Sequence, residues 1–183
     1  QTNFDKSLSD KYKHQAKLAV KDSYNFDFLE LAEDYKEREL ELGLLMNIRK
    51  FLLEIGGDFA FIGNQYKLSV GNEDFFIDLL LYHRRLKSLI AIELKTVAFQ
   101  PEFAGKMQFY LAVLDDKVKV EGENSSIGII ICKSKNRTIV EYALNKTNSP
   151  MGIADYSISN TLPNELKGLL PSADQIINLL NEI

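Results

Sequence analysis

Apolar residues recur at helical spacing between positions 40 and 55, where Leu40, Leu44, Leu45, Ile48, Phe51, Leu52 and Ile55 fall on one face. The pattern predicts a long amphipathic helix ended by Gly56-Gly57, where glycine takes the left-handed cap without strain. The period then changes. Residues 59–63 and 65–70 read as extended, with Tyr66, Leu68 and Val70 alternating, and Gly71-Asn72 marks a turn. Two apolar runs follow, 75–82 and 89–94, separated by HRRLK, which has the length of a hairpin loop. A helix over 101–114 starts at Pro101 and carries Phe103, Met107, Tyr110, Leu111 and Leu114 as its stripe. The continuous apolar run 126–132 predicts a central strand parallel to a neighbour, and a helix over 136–145 with a strand at 152–156 completes a crossover. Two short helices are predicted at 162–170 and 172–180. Residues 1–28 read as an arm, polar and weakly periodic at first and aromatic at its end, and residues 29–183 as one domain.

Three charges interrupt the central apolar runs: Asp78, Glu93 and Lys95. Side chains alternate along a strand, so Glu93 and Lys95 share a face, and a hairpin centred on residues 85 and 86 sets Asp78 opposite Glu93. Opposed carboxylates repel unless a cation lies between them, and hard oxygen ligands suit Mg²⁺ or Mn²⁺. The competing reading is a surface hairpin whose Glu93 and Lys95 face solvent. Against it, the LIAIELK run is apolar on both sides of Glu93, as in a strand covered on both faces. Glu54 falls in the last turn of the first long helix, where the negative end of the macrodipole disfavours a carboxylate. A nearby cation and a solvated helix edge account for it equally well.

Composition narrows the classes. The chain has 183 residues, 45% of them hydrophobic, enough for one domain with a sizeable core. No apolar run approaches the ~18 residues of a membrane span, and no basic start leads into a signal-like stretch. A cytoplasmic protein without a membrane partner is expected. The single cysteine, Cys132, excludes an intramolecular disulfide and a cysteine-based zinc site. With histidine only at positions 14 and 83 there is no Ser/His/Asp arrangement, and no GxxxxGK[ST] phosphate loop is present. The net charge of −4 argues against indiscriminate nucleic-acid binding, yet positive charge gathers at 83–87 and 133–137. Arg84 and Arg85 in the first cluster and Lys133 and Lys135 in the second are candidate phosphate contacts, a solvated loop being the alternative. Lys106 and Gln108 lie on the helix that follows the charged strand and are candidates for the same mouth.

The spacing Asp78, fourteen residues, Glu93-Leu94-Lys95 resembles the D…(D/E)xK signature of PD-(D/E)XK phosphodiesterases, and the order of elements matches their αβββαβ core. More specifically, the stretch from FLLEIGGDFAFIGNQYKLSV through FFIDLLLYHRRLKSLIAIELK, with FQPEFAGKMQFYLAVLD, SIGIIICKSKN and VEYAL, resembles the bacterial YhcG-like family, also described as domain of unknown function 1016. The likeness runs from about Lys21 to LPSADQI. Ile77 stands where the superfamily name has proline, a position that contributes no ligand.

The resemblance implies an α/β, restriction-endonuclease-like domain, a mixed central sheet flanked by helices, with an N-terminal arm and C-terminal helices. It implies a metal-dependent nuclease acting on nucleic acid, DNA above RNA, with Mg²⁺ or Mn²⁺ as cofactor. Asp78, Glu93 and Lys95 would be the catalytic core, with Glu54 as an added acidic member. Asp78, Glu93 and the Leu94 carbonyl would hold the metal, and Lys95 would act at the attacking water. Family members carry a helical N-terminal domain, so the chain's start at Gln1 without a methionine raises the expectation of a larger protein. A homodimer is a further expected partner. The rival function is an assembly or nucleic-acid-binding module that keeps the fold without turnover.

Overall fold

The apolar runs at the middle of the chain become the middle of the sheet. The computed structural model describes residues 1–31, 34–145 and 147–158; the helices expected at 162–170 and 172–180 lie outside them. The described elements are α1 (Phe4–Ser7), α2 (Asp10–Ala19), β1 (Ser23–Asn25), α3 (Glu37–Met46), α4 (Ile48–Ile55), β2 (Phe59–Val70), β3 (Glu73–His83), β4 (Ser88–Ala98), α5 (Pro101–Lys117), β5 (Ile127–Ser134), α6 (Arg137–Asn145) and β6 (Met151–Ser157). The six strands form one mixed sheet in the order β1-β6-β5-β4-β3-β2. β2, β3 and β4 run antiparallel, and β4, β5, β6 and β1 run parallel. This is the expected αβββαβ core with a crossover through α6.

Both faces of the sheet are covered, which is why β4 and β5 read as nearly unbroken apolar runs. On one face Leu79, Leu81, Ile90, Ile92, Leu94, Ile129 and Ile131 meet Leu40, Leu44, Phe51 and Ile55 of α3 and α4. On the other, Leu80, Ala91, Ile130 and Ile153 meet Met107, Tyr110, Leu111 and Leu114 of α5 and Val140 and Leu144 of α6. Gly128 lets α5 settle directly on β5, because a Cβ there would overlap the Met107 side chain. Cys132 is fully buried, and burial pushes its thiol up to about 12.

Two departures from the sequence reading matter for the site. The long helix expected up to Gly56 is two helices, broken at Asn47 (φ −109°, ψ 30°), with Gly56 (φ 137°) capping the second. Residues 1–28, read as an arm, pack onto the domain: Phe4, Ala16, Tyr24 and Phe26 are in the core, and β1 extends the sheet beside β6.

Candidate active site

β3 and β4 are paired only from His83↔Ser88 to Leu79↔Ile92. Beyond that rung β3 continues with β2 to Val70↔Glu73, while β4 continues with β5. The two central strands part like a fork. Asp78, Glu93 and Leu94 sit where they part, so the register places Asp78 next to Glu93 as the hairpin pattern requires.

Each functional group at the fork is held. Asp78 Oδ2 accepts the Leu94 N–H at 2.8 Å, and its Oδ1 accepts Gln65 Nε2 at 3.3 Å. Glu93 is only 1% exposed; its Oε2 accepts Lys106 Nζ at 3.0 Å and lies 3.6 Å from Lys95 Nζ. Lys95 is buried too, and its ammonium donates to the Leu94 carbonyl and to Glu37 Oε2, both at 3.0 Å, with Phe103 5.5 Å beneath it. The apolar body of the fork therefore carries two carboxylates and two ammonium groups in mutual reach.

Burial raises the Asp78 carboxyl above its ordinary range, and the charge of Glu41 adds to it; the Leu94 amide, Lys95 and Lys106 pull the other way without winning. Glu93 is raised by burial and then by Asp78, against Lys106 and Lys95. Burial alone would pull Lys106 down, but Glu93 and Tyr110 outweigh it and hold the ammonium well above the usual lysine range. Both acids are thus harder to ionise than an exposed carboxyl.

The donor set fits a hard divalent cation. Glu93 Oε1 is buried with no hydrogen-bond partner. An orphaned carboxylate oxygen in a dry site costs free energy unless something positive faces it. Among the described residues no three or more of His, Cys, Asp and Glu form a ready-made cage. Mg²⁺ does not need one: it is held by one or two carboxylates, with water and substrate phosphate completing its shell. Asp78, Glu93 and the Leu94 carbonyl are the residues that would hold it.

Several expected site residues lie elsewhere. Glu54 does not reach the fork; its Oε1 accepts Lys21 Nζ at 2.9 Å and the Asn25 N–H at 3.0 Å, securing α4 to the β1 edge. Those two donors, against the penalty of burial, hold its carboxyl below the ordinary range. The physical reason is its place at the end of α4, where Lys21 and Asn25, both from the segment read as an arm, supply its partners. Arg84 and Arg85 stand at the closed end of the hairpin, about 20 Å of extended strand from Asp78, and Arg85 pairs with Asp58 at 2.8 Å. Lys135 is taken by Asp22 at 2.9 Å and lies 3.6 Å from Asp155. Gln108 is exposed and lies about 200° round α5 from Lys106. Lys106 is therefore the member of that pair at the site. Lys133 follows Cys132, the partner of Lys95 in register; it is exposed, with its ammonium 5.8 Å from the Tyr35 ring.

Three residues at the site were not singled out in the sequence. Glu41 on α3 is 3% exposed and accepts Arg38 at 2.9 Å, Gln65 at 2.9 Å and Asn64 at 3.4 Å. Glu37, one turn earlier, holds Lys95. Gln65 joins Glu41 to Asp78. The signal for Glu41 was its place on the apolar stripe, at helical spacing from Leu44, Leu45 and Ile48.

Residues 17–171 match the family described as "YhcG PDDEXK nuclease domain". The chain is 35% identical over 147 residues to the Escherichia coli (strain K12) protein named "Putative nuclease YhcG", an alignment covering 80% of this chain and 39% of that protein. The chain thus spans well under two thirds of its relative's length. Among solved structures it is similar to a repair endonuclease from Pyrococcus abyssi, with 18% identity, a TM-score of 0.43, and coverage of 70% of this chain and 49% of that one. It is also similar to EndoMS in the EndoMS-dsDNA2 complex, with 17% identity, a TM-score of 0.45, and coverage of 75% and 50%. With a family match over residues 17–171 and 35% identity over 80% of its length to the Escherichia coli relative, this chain belongs to the YhcG PDDEXK nuclease domain family.

Proposed function

We propose that this domain is a metal-dependent endonuclease that hydrolyses phosphodiester bonds in DNA at the fork between β3 and β4. The observation that carries the reading is the orphaned Oε1 of Glu93 beside Asp78, with Lys95 in reach of the same carboxylate. A bound Mg²⁺ or Mn²⁺ would polarise the scissile phosphoryl oxygen and make water a better nucleophile.

The protein's own groups do the rest. Asp78 and Glu93 supply the negative charge that recruits the cation, at the expense of burying both carboxylates. Lys106 neutralises one oxygen of Glu93, so the pair does not repel itself apart. Lys95 directs its N–H bonds toward the Leu94 carbonyl and Glu37, and a shift of one of them orients the attacking water and meets the charge building on the phosphate. The apolar walls, Leu94 on one face and Met107 on the other, keep the local dielectric low and strengthen each contact. Lys133 is the exposed cation closest in sequence register to Lys95 and is offered as a contact to the DNA backbone. A helical domain preceding this one belongs to the same proposal, carried by the family resemblance, and a second copy of the chain is a further proposed partner.

The test is cleavage of duplex, branched and single-stranded DNA and of RNA, each with Mg²⁺, Mn²⁺, Ca²⁺ or EDTA. Cleavage of a DNA form with Mg²⁺ or Mn²⁺, abolished by EDTA and by Asp78→Asn, is the expected result. Full activity in EDTA would overturn it.

A further inference from the structure

Among the described residues only Gln65 and Lys87 combine a side chain with a left-handed backbone, at φ 44° and 48°. Lys87 lies in the hairpin turn, where such a value is ordinary. Gln65 lies inside β2, between the pairs Asn64↔Leu79 and Tyr66↔Ile77, just after a bulge between Phe61 and Gly63. A strained residue in mid-strand persists only where its surroundings determine it, and a bulge re-aims the side chains beside it.

The result of that distortion is visible in the hydrogen bonds. Neighbours on a regular strand point to opposite faces. Here Asn64 Nδ2 and Gln65 Nε2 both reach Glu41, at 3.4 and 2.9 Å. The same Gln65 nitrogen also donates to Asp78 Oδ1 at 3.3 Å. Since Oδ2 is already held by Leu94, both oxygens of Asp78 are oriented, one by β4 and one by the kink in β2.

We propose that Gln65 is a positioning residue for the cation site: its amide sets the plane of the Asp78 carboxylate, and the left-handed turn of β2 anchors that same amide on Glu41. This rests on the reading of Asp78 and Glu93 as the cation site. Gln65 stands opposite Asp78 in the register, so an ordinary strand residue there would share its face but not reach Glu41; the strain at Gln65 is the cost of holding one amide on both carboxylates.

The proposal is tested by Mn²⁺ titration followed by electron paramagnetic resonance, which counts bound ion without reference to activity, with thermal unfolding measured in parallel. Glycine adopts φ 44° freely, so Gln65→Gly removes the amide and keeps the backbone. It is expected to leave Tm unchanged or raised while Mn²⁺ binds roughly three- to tenfold more weakly, as for loss of one ordinary hydrogen bond. Gln65→Leu is expected to weaken binding equally and to lower Tm. Wild-type affinity in Gln65→Gly overturns the inference, because the residue would then serve the backbone alone. If the wild type binds no Mn²⁺, or binds it as well after Asp78→Asn, the cation site itself is wrong and the inference falls with it.

Discussion

Asp78 Oδ2 accepts the backbone N–H of Leu94 at 2.8 Å and so replaces the rung that β3 and β4 lack beyond Leu79 and Ile92. One carboxylate thus completes the ladder and faces the proposed cation site. Asp78→Ala is expected to leave the Leu94 amide unpaired and to cost ~1–3 kcal/mol. Asp78→Asn keeps an acceptor oxygen, so its Tm in chelator is expected at or above wild type while cleavage drops by about 10²-fold or more. Thermal unfolding and plasmid cleavage on the same preparations separate the two effects.

Lys95 is expected to serve the chemical step. Lys95→Ala should lose ~10²–10³ in rate, the range for one removed electrostatic donor, while Mn²⁺ binding persists because neither Asp78 nor Glu93 has been touched. Single-turnover cleavage read beside Mn²⁺ affinity checks this. Equal losses in both would assign Lys95 to the metal site instead.

Burial raises the carboxyls of Asp78 and Glu93 in the fold, with Glu41 adding to the first and Asp78 to the second. An acid raised on folding binds its proton more tightly in the native state. Its stabilising contribution is complete below the ordinary unfolded value, about pH 4, and is lost as pH rises through the raised native value. In chelator, Asp78→Asn should therefore gain Tm over wild type near neutrality and lose that advantage toward about pH 4. Adding Mg²⁺ should stabilise the wild type near neutrality and leave the variant almost unmoved.

Glu41 and Glu54 should separate cleanly. Glu54→Gln weakens contacts to Lys21 and Asn25, and a stability loss of up to ~1 kcal/mol with unchanged cleavage is expected. Glu41→Ala strips the acceptor from Arg38, Asn64 and Gln65. It should cost ~1–3 kcal/mol in stability and roughly tenfold in rate, equivalent to ~1.4 kcal/mol of barrier.

What could be read from the chain depended on how local the determinant was. The hairpin register needed only two apolar runs and the length of HRRLK, and the structure pairs Leu79 with Ile92 on that centre. The buried strand β5 and the Pro101 start of α5 were equally local. Glu54 went to Lys21 and Asn25, because the segment read as an arm folds back onto the end of α4. Lys135 and Arg85 were spent on Asp22 and Asp58, partners that only the fold brings close. Gln65 left no local sign, since its left-handed turn follows from what surrounds β2 and not from a glycine or an Asn-Gly pair.

The parting of β3 from β4 has a mechanical side. Helix α5 grips both arms of the fork: Tyr110 donates to the Phe76 carbonyl on β3 at 2.9 Å, and Lys106 holds Glu93 on β4. These residues are four apart, about 6 Å along the helix axis, so a little over one helical turn acts as a strut that gauges the opening. Load applied to either arm by a long, stiff polymer is passed through α5 to the other, and the span between the two carboxylates becomes a property of that helix as much as of the sheet.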